Sequence, residues 1–359
     1  MQTQTQNGRG FTLLELMVSM AIGLIVMASM ASLFKTGLNS TMLVTQRAET
    51  QQNMRAAIDL LVKDLSLAGA GLPSGGIQLP SGTGSSVSRY GCDQTLTCHI
   101  PTFTYPNGNY MYGIIPGFSN GVEGSAVVPA APGAVNDSIT SIYTDYNFPL
   151  WEYSVTFVGG SNGGQITLAP IASFVPAPPA VNSAGGIQVG DLIMLSNSLG
   201  TAVGEVTNNT PAGTLTFGAL DPLNINQNGN AATTNNMRSI SGGVNTVAYR
   251  LFAVTYYLTV PAAGSGQTPR LMRQVNGLLP VPVADDIINL QFAFDVYNSG
   301  ALDANQPNPL GVAESPNNIQ KVNIVVMGQS IINNGNKSQN MYLATSVSAR
   351  NMAFRNRYQ

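Results

Sequence analysis

From Phe11 to Phe34 the chain is apolar except for one carboxylate, Glu15, and no further charge appears until Lys35. This run constrains the fold more than any other segment. Its length meets the roughly 20 apolar residues that a bilayer-spanning helix needs. Yet it keeps an acidic side chain, which costs about 2.5–3.5 kcal/mol or more in a bilayer interior. The residues before it are few and polar, with Arg9 directly beside Gly10.

Two ordinary readings compete. A secretory signal peptide has an apolar core of roughly 7–15 residues followed by a small-residue cleavage site. Ser29-Met30-Ala31 fits such a site, but the run is longer than that core and contains Glu15. A plain membrane anchor explains the length and leaves the glutamate unexplained.

A third reading explains both. Gly10-Phe11-Thr12-Leu13-Leu14-Glu15 resembles the class III signal of type IV prepilins and pseudopilins, and Arg9 fits the basic residue often found beside the glycine. The resemblance implies that a prepilin peptidase cuts between Gly10 and Phe11 and methylates the new terminus at Phe11. It also makes Glu15 the assembly glutamate. Cleavage leaves a cationic amine at a helix N-terminus, where the macrodipole disfavours it and a nearby carboxylate compensates. An intrachain pair is one option, because Phe11 and Glu15 are four residues apart on one helix face. The other is an interchain pair with a neighbouring subunit's amine, where an unpaired buried charge penalises wrong register. The resemblance implies the interchain role, while the residues alone allow both.

The run continues as a helix of different character. Met54, Ile58, Leu61, Val62 and Leu65 recur at helical spacing, with Arg55, Asp59, Lys63 and Asp64 between them as a charged face. The pattern becomes amphipathic near residues 35–45, and Gly69, Gly71 and Pro73 end it. A continuous helix from Phe11 to Ala68 spans roughly 85 Å, far more than a bilayer. The expected organisation is a leader at 1–10, a transmembrane helix at 11–34, an amphipathic helix at 35–68 and a β-rich domain at 69–359.

The 38 glycines and 21 prolines indicate many turns between short strands. Residues 72–136 read as an irregular connection with short strands. Alternating or apolar strands follow at 138–143, 153–157, 191–195, 202–206, 214–217, 247–260, 271–274, 289–295, 322–327 and 342–348. Residues 219–243 read as a polar break and 298–318 as a polar loop. The predicted fold is α+β: a long N-terminal helix packed on a mainly antiparallel, pilin-like globular domain.

Cys92 and Cys98 are the two cysteines, and His99, the single histidine, follows them. In an exported domain the pair reads as a small disulfide loop. The alternative is a metal site of both thiolates and His99, which lacks an obvious fourth ligand nearby. No cofactor is expected. With charged residues at 9% and a net charge of −2, there is no basic footprint for nucleic acid.

A second resemblance lies in the C-terminal third. Tyr256-Tyr257-Leu258, Leu271-Met272-Arg273, Ile287 to Phe292, Val322 to Val326 and Ser346 to Asn351 form a series like the C-terminal half of PilW-type minor pilins. More distantly, the series is similar to the large minor pseudopilins of type II secretion. Asp137 to Thr140 and Gly190 to Ile193 resemble middle strands of the same family. The resemblance implies a minor subunit that primes pilus assembly at the tip, held in the inner membrane until assembly. Its implied partners are other minor and major pilins, prepilin peptidase, the inner-membrane assembly platform and a tip adhesin. The alternatives are a minor pseudopilin and a membrane-anchored extracytoplasmic binding domain.

Motifs for enzymatic chemistry are missing. There is no G-x-x-x-x-G-K-[ST], G-x-G-x-x-G or G-x-S-x-G. A catalytic triad would have to use His99, beside the cysteine pair. Asp285 and Asp286 are adjacent and point to opposite faces in a strand, so they read as a solvated turn. Asp303-Ala304-Asn305 lacks the glycine and distal glutamate of a calcium loop. Tyr105, Tyr110 and Tyr112 are weighed as packing for the irregular region against a glycan or partner surface.

Overall fold

A computed structural model describes residues 10–79, 87–101, 103–104, 110–118, 122–123, 136–159, 164–183, 185–218, 220–226, 237–259, 268–298, 300–308, 310–311, 314–332 and 337–352. Tyr105 lies outside them. One helix, Leu13–Ser66, opens the chain, and a largely antiparallel β-domain follows. The chain separates into two units, Met1–Glu49 with Ser330–Ser338 and Thr50–Gln329 with Gln339–Gln359.

In the first unit the helix exposes apolar side chains on every face, among them Leu14, Met17, Ile22, Leu24, Ile25 and Phe34. A helix apolar all round belongs in a core or a membrane. This one is long and apolar enough to cross a membrane.

In the second unit the helix buries one stripe: Thr50, Met54, Ala57, Ile58, Leu61, Asp64 and Leu65. Spacings of three and four keep these residues on one face. Met54, Leu61 and Leu65 share a core with Ile114, Ile139, Val254, Tyr256, Leu258 and Phe292. Each fully buried Leu stabilises the unit by about 1.5–3 kcal/mol. Asp64 departs from the sequence expectation, which put it on the charged face. It is 3% exposed, because Tyr143, Tyr256 and Arg273 supply hydrogen bonds where water would otherwise be needed.

The helix ends where predicted glycines take over. Gly69 has φ +77° and its N–H donates to Ile142 O at 2.8 Å, and Thr144 N–H donates to Ala70 O at 2.9 Å. The chain thereby leaves the helix and joins the edge of strand Ser138–Asp145. A side chain at Gly69 would run into Met352 at 2.7 Å.

Strand Val247–Thr259 is the spine of the largest sheet. Leu192–Asn197 pairs with its first half and Arg270–Val275 with its second, while Ser138–Asp145 runs along the opposite edge. All three pairings are antiparallel. Val254, Tyr256 and Leu258 face the helix core, and Leu251 and Ala253 enter a second core with Leu192, Met194 and Val203. Burial on both faces explains its near-continuous apolar sequence. A three-stranded sheet of Tyr153–Phe157, Gln165–Pro170 and Thr214–Thr216 covers a third core around Leu150, Ile166 and Leu215.

A four-stranded sheet has the order Ala301–Pro307, Ile287–Asn298, Ile319–Ile332, Lys337–Ser348. Its first strand corrects the polar loop expected at 298–318. That strand lies on a sheet edge with most residues exposed, so its polar sequence carries no alternating pattern. The break expected at 219–243 is also corrected in part: Leu223, Ile225, Met237 and Ile240 are buried in the cores.

Candidate functional site

The backbone is non-helical at Gly10, Phe11 and Thr12 and becomes helical at Leu13. Gly10 and Phe11 are both exposed there, Phe11 at 86%. Thr12 is the reason the helix starts where it does. Its carbonyl accepts the first intrahelical bond from Leu16 N–H at 3.2 Å, and its Oγ1 accepts from Glu15 N–H at 3.3 Å. In return Glu15 Oε2 accepts from Thr12 N–H and from the Thr12 hydroxyl, both at 3.1 Å. Thr12-Leu13-Leu14-Glu15 is a reciprocal capping box.

Glu15 therefore has a local task that neither pairing considered from the sequence includes. It satisfies an N-terminal donor and places negative charge in the first helical turn, where the macrodipole favours it. Phe11 N is an amide in this chain, and the donors that Glu15 meets belong to Thr12. The signal for Thr12 was present in the sequence as T-x-x-E before an apolar run.

The second predicted cluster lies in the β-domain. Cys92 and Cys98 are joined by a disulfide. Within the loop it closes, Asp93 is 2% exposed. Its Oδ1 accepts from Thr95 N–H at 2.8 Å and from the Thr95 hydroxyl, and its Oδ2 lies 2.8 Å from His99 Nε2. The His99 ring stacks on Tyr257 at 6.1 Å, and Gln274 Nε2 donates to Cys92 O at 2.8 Å. The thiol–histidine metal reading has lost its thiolates to the disulfide. Tyr110 and Tyr112 stack on each other at 5.8 Å, with Tyr112 buried, so packing accounts for both.

Asp93 gives a pH prediction. Burial raises its pKa, but bonds from Thr95, His99 and Thr97 outweigh burial and hold it below the usual aspartate value of 3.8. A depressed carboxylate contributes stability above the unfolded value that is lost as pH falls through the folded one. Thermal melts of Asp93→Asn are expected to show lower Tm than wild type at pH 7 and a narrowing gap below about pH 4. A gap that stays constant down to pH 2 would assign Asp93 no such role.

The other carboxylates singled out in the sequence, Asp285, Asp286 and Asp303, do not form a shared site. Asp285 is ion-paired with Arg270 at 2.8 Å, and Asp286 takes the turn at φ +63°. Asp303 and Asn305 lie on the edge strand, where Asn305 N–H donates to Asp295 Oδ1 at 2.8 Å. No group of three or more potential metal-binding side chains occurs among the described residues.

Residues 6–31 match the prokaryotic N-terminal methylation motif. No curated protein and no solved structure matches the chain. The class this defines is that of proteins carrying a type IV pilin-like class III signal, pilin or pseudopilin. The helix behind that signal is of a kind that anchors such chains in a membrane, and the motif is that of substrates for prepilin peptidase.

Proposed function

We propose that this chain is a PilW-like minor pilin, a structural subunit without enzymatic activity. Residues 1–10 are its leader. Peptidase cleaves between Gly10 and Phe11 and methylates Phe11. Residues 11–34 hold the chain in the inner membrane and then enter the filament core, a transfer between two apolar surroundings that exposes little to water. Residues 35–68 pack on the globular domain, residues 69–359, which lies outside the inner membrane and later on the pilus. Its bulk suits a low-copy subunit at the tip, beside other minor pilins and a tip adhesin, better than a repeating major subunit. The observation that carries the proposal is the complete Gly10-to-Glu15 signal fused to an apolar helix that begins two residues after Phe11.

Mass spectrometry of the mature N-terminus tests it. A chain beginning at methylated Phe11 is the expected result. An intact Met1, or cleavage after Ala31, removes the pilin reading and favours a plain anchor or a secreted domain. Copurification with secretion components instead of pilus components would move the assignment to a minor pseudopilin.

A further inference from the structure

Glu205 ends strand Gly200–Glu205 and is completely buried, and Asp221, in the loop 220–226, is 2% exposed. The loop is clasped to the strand end through main-chain groups. Glu205 N–H donates to Asn226 Oδ1 at 2.8 Å, while Asn226 Nδ2 donates to Glu205 O at 2.7 Å and to Gly218 O at 2.8 Å.

The carboxyl groups are placed unequally. Asp221 accepts from Ile225 N–H on Oδ2 and from Asn226 N–H on Oδ1 at 3.2 Å. Glu205 accepts from Leu223 N–H on Oε2 at 3.0 Å, and among the described residues no N–H or hydroxyl reaches its Oε1. The two carboxyls are within hydrogen-bond reach of each other. Two carboxylate anions repel, so a proton between them is what makes that contact favourable. Asp221, with two backbone donors, is the better anion, which leaves Glu205 as the acid.

Among the described residues, no ion pair reaches either carboxyl. Asp191, also buried, adds repulsion to Glu205. Arg250, the cation that faces Asp191 at 3.7 Å, is engaged by Asp145 with Nε to Oδ2 at 2.7 Å. Burial first, and then the charge of Asp221, push Glu205 well above the usual glutamate value. Burial raises Asp221 as well, against its backbone donors.

We propose that Glu205 and Asp221 share one proton at neutral pH, and that this proton makes the clasp between the loop 220–226 and strand Gly200–Glu205 a pH-sensitive device. The sign follows from the carboxyl's elevation. Its contribution is fully present below the unfolded value near 4.5 and is lost as pH rises through the folded value. The clasp therefore loosens in alkaline medium and tightens in acid.

The test uses the full chain in detergent micelles. Infrared spectra at pH 7 are expected to contain a protonated-carboxyl band that vanishes in Glu205→Gln. Wild-type Tm is expected to fall between pH 5 and pH 9, and Glu205→Gln, whose amide still donates to Asp221, is expected to lose that slope. Asp221→Asn serves as the second variant, and the band's own loss on alkaline titration of wild type needs no variant. Absence of the band at pH 7 overturns the proposal. So does a Tm that rises with calcium and falls with a chelator, which would mark a cation in place of the proton.

Discussion

Asp64→Ala is expected to destabilise the β-domain unit by about 3–5 kcal/mol, the usual cost of removing one partner from a buried ion pair. The lost groups are specific. Asp64 Oδ2 accepts from Arg273 Nε at 2.8 Å and from the Tyr256 hydroxyl at 2.6 Å, and Oδ1 accepts from the Tyr143 hydroxyl at 3.0 Å. Alanine leaves a guanidinium and two buried hydroxyls without their acceptor. Burial, followed by the charge of Asp64, raises both tyrosines well above the ordinary phenol value. They therefore remain donors at any physiological pH. Burial lowers the Arg273 pKa, but its bonds to Asp64 raise it by more. Asp64→Asn keeps the shape and loses the charge, and should fall between wild type and alanine. Denaturant titration of the full chain in detergent measures the difference. A loss under about 1 kcal/mol, the range of an exposed pair, would mean that the cluster is not a coupling point.

The second large effect separates two tasks of Glu15. Glu15→Gln retains the capping box, because glutamine serves at that position as glutamate does, yet it removes the charge. Glu15→Ala removes both. Thr12→Ala keeps the charge and loses a cap worth about 1 kcal/mol. If charge pairing between subunits governs assembly, both Glu15 variants are still cleaved after Gly10, yet their incorporation into filaments falls on the order of tenfold or more. Thr12→Ala then remains incorporated. Quantitative blotting of sheared pili against whole-cell levels reads this directly. Wild-type incorporation of Glu15→Gln would show that helix capping, and not charge, is what the carboxylate supplies.

Much of this architecture was legible because its signals are local. The apolar run with one carboxylate marks the helix, and Met54, Ile58, Leu61 and Leu65 mark the stripe that the β-domain covers. Alternation located Tyr153–Phe157 and the spine strand from Val247 to Thr259, with residue 260 outside the described residues. What escaped has no local signature. Asp64 looks like any solvated helix charge until residues 143, 256 and 273 are brought to it. Glu205 and Asp221 are 16 positions apart, and only the fold makes them a pair. Ala301–Pro307 is polar because it is an edge, and an edge strand need not alternate. Thr12 differs, because its signal is local: T-x-x-E before an apolar run is a four-residue capping motif.

The helix end has a mechanical consequence. Asp64 joins the last turns to Tyr143, Tyr256 and Arg273, and within six residues the main chain of Gly69 and Ala70 bonds to Ile142 and Thr144. A pull transmitted along the C-terminal turns of the helix therefore meets several bonds spread over three neighbouring strands, Ser138–Asp145, Val247–Thr259 and Arg270–Val275. Such a joint shares a load among several bonds instead of resting it on one. Under the role proposed above, that joint is what would keep the globular domain attached when the helix is under tension.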